Sequence, residues 1–130
     1  MRKNNLRFAK EWVMKAQSDL ETAEILYREK GPTDSLCFHC QQAAEKMLKA
    51  FLVFNKGKYS KIHDLINLLN ICKKIDESFK NLENEASFLN RFYVETRYPP
   101  EIINYTREEC EEALGLAQKL TQFILNKISQ

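Results

Sequence analysis

The apolar positions of this chain recur at steps of three and four over long stretches, the period of one face of an α-helix. The clearest stretch is 34–56. There Leu36, Cys40, Ala43, Ala44, Met47, Leu48, Phe51 and Leu52 form a wide stripe, with Gln41, Gln42, Glu45, Lys46 and Lys49 filling the rest of the surface. Gly31-Pro32 interrupts the pattern just before it, Asp34 stands where an N-cap would, and Lys56-Gly57 follows as a C-terminal signal. This stretch is predicted to be the central helix. A first helix over 7–29 carries a stripe of Phe8, Trp12, Ala16, Leu20, Ala23 and Leu26 or Tyr27, with Asp19 at its edge as a solvated carboxylate.

Beyond the basic turn Lys56-Gly57-Lys58-Tyr59, Ser60 is a candidate cap for a third helix whose face is Ile62, Leu65, Ile66, Leu69 and Cys72. Ile75, Phe79, Leu82, Ala86, Leu89 and Tyr93 predict a fourth, from about residue 76 to 95. Phe88 and Phe92 widen its face, so that it is either central or partly covered by a second subunit. Pro99 and Pro100 stop it. Thr106-Arg107-Glu108-Glu109 has the spacing of a capping box and opens a last helix over 107–128, with Ala113, Leu116, Ala117, Leu120, Ile124 and Ile128 inward and Phe123 beside them. The run Glu108, Glu109, Glu111 and Glu112 suits the positive end of that helix dipole better than a catalytic acid cluster. The expected fold is all-α, an up-and-down bundle of about five helices in one domain spanning 1–130.

Composition agrees. Three Gly and three Pro in 130 residues are few for a turn-rich sheet protein. A formal net charge of +2 is too small to argue nucleic-acid binding from bulk electrostatics, though it leaves room for a local basic patch. No apolar run is long enough for a membrane span, and the basic N-terminus leads into an amphipathic pattern rather than an apolar signal region, so a cytoplasmic location is expected. Cys37, Cys40, Cys72 and Cys110 are then expected to be reduced core residues. Cys37-Phe38-His39-Cys40 has the C-x-x-C form, but no second pair and no preceding strand accompany it, which favours packing over metal or redox chemistry.

Two features carry candidate chemistry. Arg97-Tyr98-Pro99-Pro100 is a rigid corner whose Arg can fork a phosphate and whose Tyr can stack, or whose side chains can simply seal a bundle end. His63 lies near a helix start, where it can bind an anion or, more blandly, hydrogen-bond nearby backbone.

Four stretches taken together resemble one family. They are Trp12-x3-Ala16-x2-Asp19-Leu20, the block Cys40-Gln41-Gln42-Ala43-Ala44-Glu45-Lys46-Met47-Leu48-Lys49-Ala50, His63-Asp64-Leu65, and Arg91-Phe92-Tyr93-x3-Arg97-Tyr98-Pro99. In this order they are similar to the HEPN domain (higher eukaryotes and prokaryotes nucleotide-binding), most closely to small stand-alone prokaryotic members encoded beside a minimal nucleotidyltransferase. The resemblance implies a helical homodimer in toxin–antitoxin or related RNA-directed systems. Many members are metal-independent ribonucleases with a motif of Arg, four to six residues, then His. Here only His39 and His63 occur, and neither follows an Arg at that distance. The reading is therefore a non-enzymatic, dimeric module, with no catalytic residue, metal or cofactor assigned. It would bind a nucleotide, RNA or a nucleotidyltransferase partner, as the toxin side of a pair. The candidate surface is Arg97 and Tyr98 with His63, Lys46 and Lys49, the two lysines being otherwise ordinary solvated helix charge. The alternatives are a ribonuclease using Arg91, Arg97 and Tyr98 with a histidine from elsewhere, and a structural subunit docking through Phe88 and Phe92.

Overall fold

The computed structural model describes residues 2–95 and 104–128. Its elements are α1 (Arg2–Arg28), α2 (Thr33–Lys56), α3 (Leu65–Ile75), a 3₁₀ segment (Glu77–Leu82), α4 (Glu83–Asn90), the single turn α5 (Phe92–Glu95) and α6 (Arg107–Ile128). No strand occurs among the described residues. The corner Arg97-Tyr98-Pro99-Pro100 lies outside them.

Helix α2 is the centre of the bundle, packed by α1, α6, α3, α4 and α5. Its wide stripe is the reason: Leu36, Cys40, Ala44, Met47, Leu48 and Phe51 are all at most 3% exposed. Gly57 ends it with φ 76°, its N–H donating to Val53 O at 2.8 Å. The start differs from expectation. Thr33 is already helical and Pro32 is the capping position, so the Asp34 carboxylate makes no cap to the second or third residue beyond. Asp34 Oδ1 accepts from Ser35 N–H instead, at 2.8 Å.

The buried line of α1 runs through Ala9, Val13, Ala16 and Ala23. The expected stripe was offset at its first members: Phe8 is 43% exposed and Trp12 only half-buried. Small residues let α1 lie close on α2, and the bulky rings next to them are left at the rim.

Helix α3 begins later than Ser60 suggested. Asp64 is its N-cap, accepting from Ile66 N–H at 2.8 Å and Asn67 N–H at 3.1 Å, and Ile62 stays exposed. A carboxylate one residue before the apolar run satisfies two amides at once, while the Ser60 hydroxyl accepts only from Ile62 N–H, 3.1 Å away. Asn90, the last residue of α4, accepts from Leu65 N–H at 2.8 Å and so fixes this end of α3 against α4.

The expected fourth helix is broken into the 3₁₀ segment, α4 and α5. Asp76 starts the 3₁₀ segment by accepting from Ser78 N–H at 3.0 Å, and Arg91 interrupts the regular ladder between α4 and α5. Phe92 is fully buried within one chain, edge-on to Tyr105 with ring centroids 5.0 Å apart. Of the two rings expected to widen this face, Phe92 is covered within the chain, while Phe88 is only partly buried. The capping box of α6 forms as its spacing predicts: Glu109 N–H donates to Thr106 Oγ1 at 3.1 Å, and Thr106 N–H donates to Glu109 Oε1 at 2.9 Å.

Candidate functional site

On α2, positions 41, 45 and 49 follow one another at helical spacing. Three faces of this helix are covered, so their polar groups point into protein rather than solvent. Glu45 and Lys49 are 4% and 3% exposed. Glu45 Oε2 accepts from Lys49 Nζ at 3.0 Å and stands 2.9 Å from His63 Nδ1. Its other oxygen accepts from Gln41 Nε2 at 3.3 Å, and Gln41 Oε1 accepts from Gln42 Nε2 at 2.6 Å. The buried carboxylate is thus matched by one ammonium, one amide and one imidazole.

His63 is the exposed member, its side chain 53% accessible. It sits one residue before the Asp64 cap. Its ring stacks on Tyr93 of α5, with centroids 5.4 Å apart and planes 9° from parallel. Glu45 on one nitrogen and Tyr93 on one face fix the imidazole. With a proton on Nδ1 shared to Glu45, Nε2 of the neutral ring is an acceptor.

A second cluster lies on the neighbouring face. Asp19 of α1 is 9% exposed, not solvated. Its Oδ2 accepts from Lys46 Nζ at 2.5 Å, and its Oδ1 is 2.9 Å from His39 Nδ1. The structure therefore separates the sequence-predicted set. His63 and Lys49 meet on one Glu45 oxygen, Lys46 is held by Asp19, and Arg97 and Tyr98 lie outside the described residues. Lys46 and Lys49 are also not ordinary solvated charges. Glu45, Asp19, Gln41 and Tyr93 were missed as site residues. The readable signal was the i, i+4 pair Glu45–Lys49 inside a helix too apolar to have a solvent face.

Arg91 is engaged structurally. Its Nη2 donates to Glu109 Oε2 at 2.8 Å, and its guanidinium lies 4.8 Å from the ring centroids of both Phe88 and Phe92. That contact ties the end of α4 to α6. The four cysteines are free and buried. Burial pushes the thiols of Cys40 and Cys72 up to about 12 and raises those of Cys37 and Cys110, the opposite of a reactive C-x-x-C thiol. Among the described residues, no three His, Cys, Asp or Glu are grouped to hold a metal, and no helix is long and apolar enough to cross a membrane.

A helical bundle with a polar network enclosed around its central helix defines a class, and the chain belongs to the HEPN domain family, which it matches over residues 9–128. It is 33% identical to Putative toxin MJ1304 of Methanocaldococcus jannaschii, over 92% of this chain and 88% of that protein. Among solved structures, TT1696 from Thermus thermophilus superposes with a TM-score of 0.81 and 31% identity, covering 98% of this chain and 99% of the other. ST0689, an archaeal HEPN homologue, shares the fold with a TM-score of 0.72 at 22% identity, covering 92% and 97%.

Proposed function

We propose that this HEPN protein is the toxin-side component of a toxin–antitoxin pair, and that it works as a homodimer engaging a phosphate-bearing nucleotide or RNA. A minimal nucleotidyltransferase is the partner this reading implies. The observation that carries it is His63, an exposed imidazole held by a buried carboxylate and a stacked tyrosine. Such a ring keeps one nitrogen outward in a fixed direction. Arg97 comes four residues after Tyr93, a chain span of at most about 14 Å. The guanidinium would fork a phosphate and Tyr98 would stack on a base, with His63 Nε2 accepting from a ribose hydroxyl or a base N–H. Lys46 and Lys49 shape the surroundings through Asp19 and Glu45 rather than meeting the ligand.

The test is RNA binding by gel shift, for the intact protein and for His63→Ala and Arg97→Ala. Each variant is expected to weaken binding about tenfold, a change of about 1.4 kcal/mol. Wild-type binding by both variants ends the reading.

The Glu45–His63 pair also favours a second reading, metal-independent RNA cleavage with His63 as the proton-transfer group. Cleavage in the presence of EDTA, abolished by His63→Ala, is the expected result under that reading. An intact broad RNA panel removes it.

A further inference from the structure

The rings left at the rim of α1 line a groove of about 510 Å³ between α1 and the end of α2. Phe8, Trp12 and Tyr59 are its aromatic wall, and Lys15, Lys58 and Lys61 its cations. Among the described residues none of these three lysines is ion-paired, whereas Lys46, Lys49, Lys73, Lys80, Lys119 and Lys127 all are. Glu11 is the one carboxylate on the wall.

The aromatic wall is built, not incidental. Trp12 and Tyr59 pack with centroids 5.0 Å apart at 55°. The buried ammonium of Lys49 lies 5.8 Å from the Trp12 ring centroid and 5.9 Å from that of Tyr59, a cation–π contact shared by both rings. Gly57 lines the groove at φ 76°, and a Cβ added there would meet Asn5 Oδ1 of α1 at 3.0 Å. Tyr59 is nonetheless 49% exposed and Phe8 43%, leaving ring surface open to solvent.

We propose that this groove binds a nucleobase carrying a phosphate. The base stacks on the exposed aromatic surface, the phosphate lies among Lys15, Lys58 and Lys61, and Glu11 accepts from an exocyclic amine. Lys15 lies over the Trp12 ring, 6.0 Å from its centroid, and Lys58 and Lys61 have no carboxylate partner among the described residues, so stacking surface stands beside available positive charge, the chemistry of single-stranded nucleic acid and of free nucleotides alike. The volume falls within the range of small-molecule sites. The site is separate from the His63 edge, so its failure leaves the preceding reading standing, and the converse holds.

Trp12 is the only tryptophan, so its fluorescence reports this groove alone. The full chain is titrated with AMP, with adenosine, with inorganic phosphate and with a 5′-phosphorylated oligoadenylate. AMP or the oligoadenylate is expected to quench Trp12, at least about tenfold more tightly than adenosine or phosphate. The tighter of the two distinguishes free nucleotide from an RNA strand. Lys58→Glu/Lys61→Glu and, separately, Tyr59→Ala are expected to weaken that binding about tenfold, while circular dichroism and the melting temperature confirm folding. The proposal is overturned by no quenching at millimolar ligand, by quenching that both variants leave unchanged, or by sedimentation showing that Tyr59→Ala dissociates a dimer seated on the groove.

Discussion

Glu45 is the residue on which the polar interior turns. It is buried, and Lys49, His63 and Gln41 all converge on its carboxylate. Glu45→Ala would leave the Lys49 ammonium buried without its counter-charge, and chemical denaturation is expected to show a loss of about 3–5 kcal/mol. Glu45→Ala also removes the partner of His63 Nδ1, so the ring should lose its fixed seat on Tyr93 and its NMR chemical shifts should change. A second expectation concerns the thiols. All four are buried with raised pKa, so native protein should react negligibly with a thiol reagent at neutral pH, and all four should react after unfolding. Rapid native labelling of Cys37 or Cys40 would reopen the redox reading. At this scale the sequence was least legible. A carboxylate or lysine reads as solvated by its type, and the partners that meet Asp19 (His39 and Lys46 of α2) and Glu45 (His63, ahead of α3) are far away in the chain.

Capping chemistry was more legible at the level of elements, because its partners lie within a few residues. Thr106 and Glu109 form their reciprocal pair, and Gly57 ends α2 as expected. Asp34 and Ser60 failed as caps because the helices start elsewhere, α2 directly after Pro32 and α3 directly after Asp64. Asp64→Ala is expected to lower stability by about 1 kcal/mol, seen in the denaturation midpoint. Two capping carboxylates also set the acid limb of stability. The Ser78 hydroxyl and then Lys127 hold the Asp76 carboxyl below its usual range, and the Thr106 N–H does the same for Glu109. A lowered folded-state pKa contributes stability above the unfolded value, lost as pH falls through the folded one. The melting temperature should therefore hold above about pH 5 and decline below about pH 4. Asp76→Asn with Glu109→Gln should flatten that decline. An unchanged acid limb would mean that other carboxylates set it.

At the scale of the molecule, the all-α bundle around 34–56 was legible from period and length alone, since so wide a stripe needs several neighbours. What period could not give was the offset on α1, where Ala9, Val13 and Ala16 take the interface and Phe8 and Trp12 are displaced outward. Small residues win that contact because they let two helix backbones approach. Packing elsewhere is held by ring clusters. Phe79 is fully buried, with ring centroids 4.3 Å from Phe51 and 5.3 Å from Phe123, joining the 3₁₀ segment to α2 and α6. Phe79→Ala is expected to cost about 3–5 kcal/mol in a denaturant melt.

The enclosure of α2 by five other elements also dictates how the protein comes apart. Backbone amides in the middle of that rod can meet deuterated solvent only when the surrounding layer lifts away, so they should exchange last, at a rate set by complete opening. The first turns of α1, where Lys3, Asn4, Arg7 and Phe8 are exposed, should trade their protons early, so thermal breathing is expected to begin at that rim of the bundle.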